Sequence, residues 1–256
     1  MPPSRIIHTP EEIARIRRAG QITGAVRDEI ASLARPGMST FDLDQLAGAV
    51  IRSTGGKSAF KGYYGYPGNI CISVNEVVVH GIGSPDRIIG EKDIVSIDVG
   101  VSIDGAMGDT ALTFGFGEPS PEVKRLLDGT REALAEGIAA ARAGAFVRDV
   151  SAAVEHCARK HRLGIVREYV GHGCGIKLHE PPEVPNYTGW GKGPRLEPGM
   201  VICIEPMLNL GGEAVRLDRT DHWTVRTADG SWSAHFEHMV LITDKEPEIL
   251  TWQKTM

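Results

Sequence analysis

Long apolar runs, closely spaced cysteine pairs and blocks of basic residues are all missing from this 256-residue chain. A membrane-spanning helix needs roughly 20 consecutive apolar residues. Neither the N-terminal stretch MPPSRIIHTPEEIARIRRAG nor any later window provides them. The sequence therefore predicts a chain that does not enter a membrane, and we expect a soluble, cytoplasmic protein.

Cysteine is scarce, and its spacing excludes a disulfide scaffold or a CxxC motif. The four cysteines are Cys71, Cys157, Cys174 and Cys203. We expect all four thiols to be reduced. The net charge is −5 and the sequence pI is near 6.0. Without a basic cluster the chain has no electrostatic footprint for nucleic acid, and no specific nucleic-acid partner is expected.

The remaining composition is that of a globular protein, with 41% hydrophobic and 24% charged residues. Helical periodicity predicts a long helix that begins at Pro10 and is stopped by Pro36 and Gly37, and a second helix over residues 41–53. Further helices are predicted from the apolar positions of 123–138 and 147–157. Strand-like runs occupy residues 70–74, 93–103, 110–114, 200–205 and 237–243.

The second half of the chain repeats the order of elements of the first. A shift of 107 residues superimposes two sets of four residues, each at a helix–turn–helix junction. The sets are Arg35, Gly37, Asp42, Leu43 and Arg142, Gly144, Asp149, Val150. Chance stays an alternative for so short a match. The pattern otherwise predicts a duplicated helix–helix–strand unit.

No Gly-, Ser- or Pro-rich linker separates the two halves. We therefore expect one α/β domain over residues 1–256, with a lead segment at 1–9 and two equivalent parts around a shared antiparallel sheet. A cleft would lie between the parts. The segment 179–199 contains many Pro and Gly residues, which predicts an irregular rim.

Two aspartates flank a strong hairpin signal, Asp104-Gly105. With those residues in the turn, position 98 lies opposite 111, so Asp98 and Asp109 are diagonal neighbours on one sheet face, about 7–8 Å apart. An isolated Asp pair more often lies at the surface. Here the flanking residues are apolar, and two desolvated carboxylates repel each other, which indicates a bound cation.

Three more potential ligands stand in apolar or glycine-rich surroundings. His172 lies between two glycines, Glu205 ends the apolar run MVICIEPM, and Glu237 lies at the edge of the run AHFEHMVLI. Each alone has an ordinary structural explanation. Together with Asp98 and Asp109 they form an oxygen-rich set with one imidazole, which suits a carboxylate-bridged pair of Mn, Fe, Co or Zn ions.

Five segments resemble, in order and spacing, those of type I methionine aminopeptidases. They are GYPGNICISVNEVVVHGIG, IDVGVSIDGAMGDT, GHGCGIKLHEPPEVPN, CIEPM and SAHFEHMV. The resemblance covers about residues 10–250. It implies the pita-bread fold, an α+β arrangement of pseudo-twofold helix–helix–strand units around a curved antiparallel sheet with a central dinuclear metal site. It also implies removal of the N-terminal methionine from nascent proteins whose second residue is small.

The resemblance assigns a role to each site residue. Asp98 would bind the second metal, Asp109 and Glu237 would bridge both, and His172 and Glu205 would complete the first site. Glu205 would also accept the proton of a water that, shared by the two ions, attacks the first peptide bond as hydroxide. By the same resemblance His80 would hydrogen-bond the substrate amide, and His179 would contact the scissile carbonyl.

A methionine-sized pocket is implied as well, although simple core packing is an alternative for each of its members. They are Phe60, Tyr63, Tyr66, Cys71 and Trp223. Aromatic faces favour a polarisable thioether. Two positions depart from bacterial relatives: Leu178 stands where Phe is frequent, and Phe60 stands where a smaller residue such as Cys occurs.

Prolidase and aminopeptidase P resemble this metal set but normally carry a large additional N-terminal domain. A type II methionine aminopeptidase would carry an insertion after the GluPro strand, yet only 31 residues separate Glu205 from Glu237. A binding protein that uses the same fold without catalysis is a different class of alternative. We expect a monomer with transient ribosome contact at most. Met1, followed by Pro2, could be removed by the enzyme itself.

Overall fold

The structure is a computed structural model that describes residues 6–189 and 191–252. The predicted removal of Met1 concerns a residue outside this part. The α-helices of the described chain are α1 (Pro10–Leu33), α2 (Thr40–Ser53), α3 (Pro121–Ala140) and α4 (Val147–Lys160). A short 3-10 helix spans Tyr63–Gly65. None of these helices combines the length and apolarity that a membrane span requires.

The strands are short apart from one long pair, and they are numbered in chain order. They are β1 (Lys57–Ser58), β2 (Cys71–Val74), β3 (Val77–Val79), β4 (Ile94–Ile103), β5 (Ala106–Gly115), β6 (Gly164–Ile165), β7 (Gly171–Gly173), β8 (Glu180–Val184), β9 (Val201–Ile204), β10 (Met207–Asn209), β11 (Val215–Leu217), β12 (Val225–Thr227), β13 (Ser233–His235), β14 (His238–Leu241) and β15 (Glu248–Ile249). The mixed α/β fold class is confirmed.

Helix ends follow the capping residues of the sequence. The hydroxyl of Thr9 accepts a hydrogen bond from the Glu12 amide at 3.2 Å, and the Glu12 carboxylate accepts from the Thr9 amide at 2.9 Å. This reciprocal pair satisfies two amides that have no partner within the helix. Pro10 supplies a suitable first residue because it has no amide hydrogen to satisfy. The predicted start of the long helix is therefore confirmed.

The repeat with an offset of 107 residues is present in the backbone. Gly37 and Gly144 both have a positive φ, +88° and +92°. Each glycine amide donates a 2.8 Å hydrogen bond across its half, to the carbonyl of Ile89 and of Leu196 respectively. Isolated bridges join Ser39 to Ile88 and Phe146 to Arg195. Since each contact recurs 107 residues later, the duplicated unit is confirmed.

The strands form four antiparallel sheets within the described residues, whereas the sequence pattern predicts one shared sheet. The sheets are β1-β4-β2 with β5 beside β4, β13-β10-β6, β11-β12-β3 and β15-β14-β9-β7-β8. The two halves meet where the Glu237 amide donates to the Ala111 carbonyl at 3.0 Å, and the Thr113 hydroxyl to the His235 carbonyl at 2.7 Å. The site therefore lies on the seam between the halves.

Each half has its own apolar core beneath its helix pair. In the first half, α1 and α2 pack on β2 and β4, and the fully buried residues of this core include Ile30, Leu43 and Ile97. The other packs α3 and α4 on β9, with Leu126 and Ile204 among its fully buried residues. Burial of such side chains contributes about 1.5–3 kcal/mol each. The two cores hold the strand ends of the central cleft in place.

The prediction that 179–199 lacks regular structure is wrong for its first part, which forms strand β8. This strand lies at the edge of its sheet, next to β7. Proline has no amide hydrogen to donate, which an edge strand tolerates because one of its sides needs no partner. Pro181 and Pro182 are thus compatible with the strand.

Glu155 on α4 provides a test of pH-dependent stability. One of its oxygens accepts hydrogen bonds from the Thr188 amide and hydroxyl, at 2.9 and 2.6 Å, and the other accepts from Arg159 at 2.6 Å. Burial of the carboxyl opposes ionisation, but these hydrogen bonds outweigh it and lower the pKa of Glu155 to about 2. The ionised form therefore stabilises the fold above the ordinary pKa of 4.5.

We expect Glu155→Gln to lower the free energy of unfolding by about 1–3 kcal/mol at pH 7. The difference from the unaltered chain should shrink as the pH falls from 4.5 towards 2, because the native carboxyl then becomes protonated. Urea unfolding over this pH range measures it. The exposed Glu183, changed to Gln, is the control. A pH-independent difference would contradict the assignment.

Candidate metal centre

The paired aspartates lie where the turn signal places them. In the β4–β5 hairpin Asp98 is opposite Ala111 and Asp109 is opposite Gly100, so the predicted register is confirmed. Alternation along the strands puts both carboxylates on one face. Asp109 is 4% exposed, and its amide donates to the Met239 sulfur at 3.1 Å. The two acids thus enter the site from a rigid hairpin.

His172 enters the same site from β7 with a defined tautomer. Its Nδ1 lies 2.9 Å from the Gly173 carbonyl oxygen, which can only accept a hydrogen bond. Nδ1 therefore carries the hydrogen, and Nε2 of the neutral ring offers a lone pair. That Nε2 lies 3.5 Å from Glu205 Oε1 and 3.8 Å from Asp109 Oδ2. A second nitrogen fixed by a carbonyl is the usual arrangement of a metal-binding histidine.

The two glutamates lie at the same end of two neighbouring antiparallel strands, β9 and β14. Glu205 follows β9, and its carbonyl accepts a hydrogen bond from the Asn186 amide group at 3.0 Å. Glu237 precedes β14 and is 2% exposed. Its carbonyl accepts from the Thr110 hydroxyl at 2.7 Å. Backbone contacts on both sides hold these carboxylates towards Asp109 and His172.

The electrostatics of this acid cluster indicate a cation. Burial, together with neighbouring carboxylates, raises the pKa of Asp109 and Glu237 well above the ordinary range. Burial also raises the pKa of Asp98 to about 7 and that of Glu205 to about 8. One buried oxygen on each of Asp98, Asp109 and Glu237 has no hydrogen-bond partner among the described residues. Divalent cations would satisfy these oxygens and offset the repulsion.

The donor set also fits the expected metals. Ligand atoms of Asp109, His172, Cys203 and Glu237 all lie within 4.8 Å of one another. Burial lowers the pKa of His172 to about 3, so its ring is a neutral nitrogen donor near pH 7. Carboxylate oxygens with an imidazole suit Mn, Fe, Co and Zn. The residues present therefore fit a divalent metal centre.

His80 and His179 line the same cavity as the acid cluster. His80 has a φ of +58°, a conformation that a non-glycine residue rarely adopts and that is often found at functional sites. Burial lowers the pKa of His80 to about 4. Its ring contacts those of Tyr169 and Trp223. The His179 ring lies 4.1 Å from that of His172, and its Nδ1 is 2.8 Å from the Tyr63 hydroxyl.

A cavity of about 350 Å³ opens onto the metal centre. All twelve residues that the sequence analysis names as ligands, catalytic groups or pocket residues line it. Its apolar part contains Phe60, Tyr66, Cys71 and Leu178, which pack together with Trp223 alongside. The structure thus brings the predicted residues together in one cavity, while their individual roles stay predictions.

Phe60 and Gly100 fit each other closely. A Cβ atom added at Gly100 would lie 2.4 Å from the Phe60 ring, too near for any side chain there. The Tyr66 hydroxyl donates to the carbonyls of Gly81 and Ile70, at 2.9 and 3.2 Å. The hydrogen bonds of Tyr66 and the close contact of Phe60 with Gly100 therefore hold the pocket wall in place.

Two residues of the site escaped the sequence analysis. His235 and Cys203 each lie two positions before a predicted ligand, Glu237 and Glu205 respectively. Side chains two apart in a strand share a face, so alternation could have identified both. His235 is 2% exposed and its Nε2 lies 3.6 Å from Glu205 Oε2. The site thus contains a second imidazole and a buried thiol beyond the predicted set.

A second group of possible ligands lies between α3 and α4, away from the cavity. It comprises Glu132, Cys157 and His161. Glu132 is already paired through one oxygen with Lys160 and through the other with His161, both at 2.6 Å. Mutual pairing accounts for this cluster without a metal, and we assign none to it.

The fold and the buried acid cluster together define a metal-dependent hydrolase. The model of metallopeptidase family M24 matches residues 14–244. The methionine aminopeptidase of Clostridium acetobutylicum is 44% identical over 246 residues, which are 96% of this chain and 98% of that protein. Methionine aminopeptidase 1 of Mycobacterium tuberculosis is 45% identical over 247 residues, covering 94% and 92%. The chain belongs to metallopeptidase family M24, in its methionine aminopeptidase branch.

Solved structures agree with this assignment. The methionine aminopeptidase of Thermotoga maritima superimposes with a TM-score of 0.94 at 40% identity, covering 97% of this chain and all of that one. The prolidase of Pyrococcus furiosus has a TM-score of 0.78 at 23% identity, which shows a shared fold alone. This chain covers 66% of that prolidase.

Proposed function

We propose that the chain removes N-terminal methionine from nascent polypeptides whose second residue is small, using two divalent metal ions. The observation that carries this proposal is that the acid cluster and a group of apolar and aromatic side chains line one cavity of about 350 Å³. The full-length similarity to methionine aminopeptidases supports it. The number of ions and their identity, among Co, Mn, Fe and Zn, are part of the proposal.

When bound, the ions would supply a Lewis acid and a water whose pKa they lower towards neutrality. Asp98 would hold one ion, His172 and Glu205 the other, with Asp109 and Glu237 between them. Asp109 and Glu237 are the most buried acids of the set, at 4% and 2% exposure, which suits a bridging position between two charges.

The chain's own groups would do the remaining chemistry. Glu205 would accept a proton from the attacking water and pass it to the leaving amine, a role supported by its 3.5 Å distance from His172 and by its being less enclosed than Glu237. His179, at the outer side of the cavity, would donate to the scissile carbonyl. His80 would hydrogen-bond the substrate amide.

Metal removal and return test the function. Protein treated with a chelator should lose release of methionine from Met-Ala-Ser, and added Mn²⁺ or Co²⁺ should restore it, because the acid cluster needs cations to bind and activate water. Ala-Ala-Ser serves as the control substrate for the methionine pocket. A chain that binds the metal but stays inactive on Met-Ala-Ser would instead support a binding protein on the same fold.

Phe60 offers a test of specificity. Phe60→Ala should lower kcat/KM for Met-Ala-Ser by roughly 10- to 200-fold, since a lost apolar contact in a pocket costs about 1–3 kcal/mol. Cleavage of Phe-Ala-Ser should decline less or rise, because the pocket is larger. Phe41→Ala, at a half-exposed position on α2, is the control. An unchanged preference for Met over Phe would place Phe60 outside the pocket.

The single domain over 1–256, the cytoplasmic location, the monomeric state and the transient ribosome contact stay predictions. A measurement of mass in solution addresses the monomer. Ribosome contact is addressed by co-sedimentation of the purified chain with ribosomes at low and high salt, because a weak electrostatic contact should be lost at high salt.

A further inference from the structure

The mechanism above gives no task to the His235 ring, a buried polar group of the site. His235 ends β13 and pairs with Met207 of β10. Its backbone is held on both sides by Thr113, whose hydroxyl accepts from the His235 amide at 2.9 Å and donates to its carbonyl at 2.7 Å. These backbone contacts therefore fix the position from which the His235 side chain enters the cavity.

The Nε2 atom of His235 is fully buried and has no hydrogen-bond partner among the described residues. An unpartnered buried polar group destabilises a fold, so its presence calls for an explanation. The Glu205 carboxylate supplies one, because its Oε2 lies 3.6 Å from His235 Nε2 while its Oε1 lies 3.5 Å from His172 Nε2. Glu205 thus lies between two imidazoles.

The two imidazoles offer different groups to that carboxylate. His172 has its hydrogen on Nδ1, bound to the Gly173 carbonyl, and presents a lone pair at Nε2. Such a lone pair repels a carboxylate unless a cation lies between them. His235 can instead carry its hydrogen on Nε2, and a closure of roughly 0.6 Å would then give an ordinary N–H···O hydrogen bond to Oε2.

We infer that His235 is a positioning residue for Glu205: its Nε2–H holds Oε2 and so turns Oε1 and its lone pairs towards His172 and the proposed metal site. The inference rests on the proposed metal centre. Partners that orient a metal-binding carboxylate in this way act on both metal affinity and activity. His235 would leave the metal itself to the five predicted ligands.

Metal titration of the chelated protein tests this role. The substitutions are His235→Leu, which removes the donor, and His235→Gln, whose amide keeps an N–H donor. Calorimetry with Mn²⁺ should show the first binding event of His235→Leu weakened by about 10- to 100-fold. His235→Gln should recover most of that affinity. His156→Leu, at an exposed position on α4, should bind as the unaltered chain does.

Two results would overturn the inference. Unchanged affinity in His235→Leu would show that the ring does not act on the metal centre. Equal weakening in His235→Leu and His235→Gln would point to direct metal binding by the imidazole. Thermal unfolding of each chelated variant shows whether it is folded, and a smaller rise in Tm on Mn²⁺ addition for His235→Leu than for His235→Gln provides an independent measure.

The test separates this inference from the proposed function because Mn²⁺ binding is measured without peptide. If the unaltered chain fails to cleave Met-Ala-Ser while the variants show the expected order of affinities, the function is wrong and the role of His235 stands. If cleavage is normal and His235→Leu binds Mn²⁺ as tightly as the unaltered chain does, the function stands and the role of His235 is wrong.

Discussion

Glu237→Gln should reduce kcat/KM for Met-Ala-Ser by at least ~10³-fold, which corresponds to about 4 kcal/mol of transition-state stabilisation. Glu237 is nearly fully buried among acids, and one of its oxygens has no hydrogen-bond partner within residues 6–189 and 191–252. Glutamine preserves the shape of the side chain but removes its charge. A neutral amide is a poor bridge between two cations, so the second ion should bind weakly or not at all.

The same substitution should have the opposite effect on the stability of the chelated protein. Removing one charge from a cluster of buried carboxylates relieves repulsion and desolvation, so the chelated variant should unfold at the same Tm as the unaltered chain or higher. Mn²⁺ should then raise its Tm less. Thermal unfolding with and without Mn²⁺ measures both effects.

Glu248→Gln is the matched control, because Glu248 is half-buried and pairs with Arg17 at 2.7 Å away from the centre. Loss of such a surface pair costs about 0–1 kcal/mol and should leave Mn²⁺ binding unchanged. A Glu237→Gln variant that gains as much Tm from Mn²⁺ as the unaltered chain would exclude Glu237 from the metal centre.

The parts of the site that the sequence predicted from its own pattern are local ones. The turn at Asp104-Gly105 determines the β4–β5 register, and the register puts Asp98 and Asp109 on one face. The duplication was also predictable from the sequence. The turns at Gly37 and Gly144 need a positive φ, which glycine adopts readily, so both positions keep a glycine. Turn residues close together in the chain determine these features, so a single sequence was sufficient to predict them.

Features that depend on distant partners were harder to predict. β8 contains two prolines, and only its place at a sheet edge beside β7 makes a strand possible there. The convergence of Asp98 and Asp109 with the ligands around β7, β9 and β14 needs two separately packed halves to meet, which no local pattern encodes. The ligand set was predicted from the resemblance to a known family, and the packing of the two halves explains why its members lie together.

His179→Ala should lower kcat on Met-Ala-Ser by about 10²–10³-fold, the usual effect of losing one donor to a developing oxyanion. The hydrogen bond between His179 Nδ1 and the Tyr63 hydroxyl, at 2.8 Å, bears on how this donor works. Burial raises the pKa of Tyr63, which keeps it a phenol. If the phenol donates to Nδ1, the hydrogen of the neutral ring is on Nε2, free to reach the carbonyl.

Tyr63 would then act through His179, and the two substitutions should not add. Tyr63→Phe alone removes the bond that selects the tautomer and should lower kcat by about tenfold or less, since one such hydrogen bond contributes about 0.5–1.5 kcal/mol. In the His179→Ala background the same change should have almost no effect on kcat, because no imidazole remains to orient. Equal effects of Tyr63→Phe in both backgrounds would mean that the phenol contacts the substrate directly and that His179 acquires its tautomer by another route.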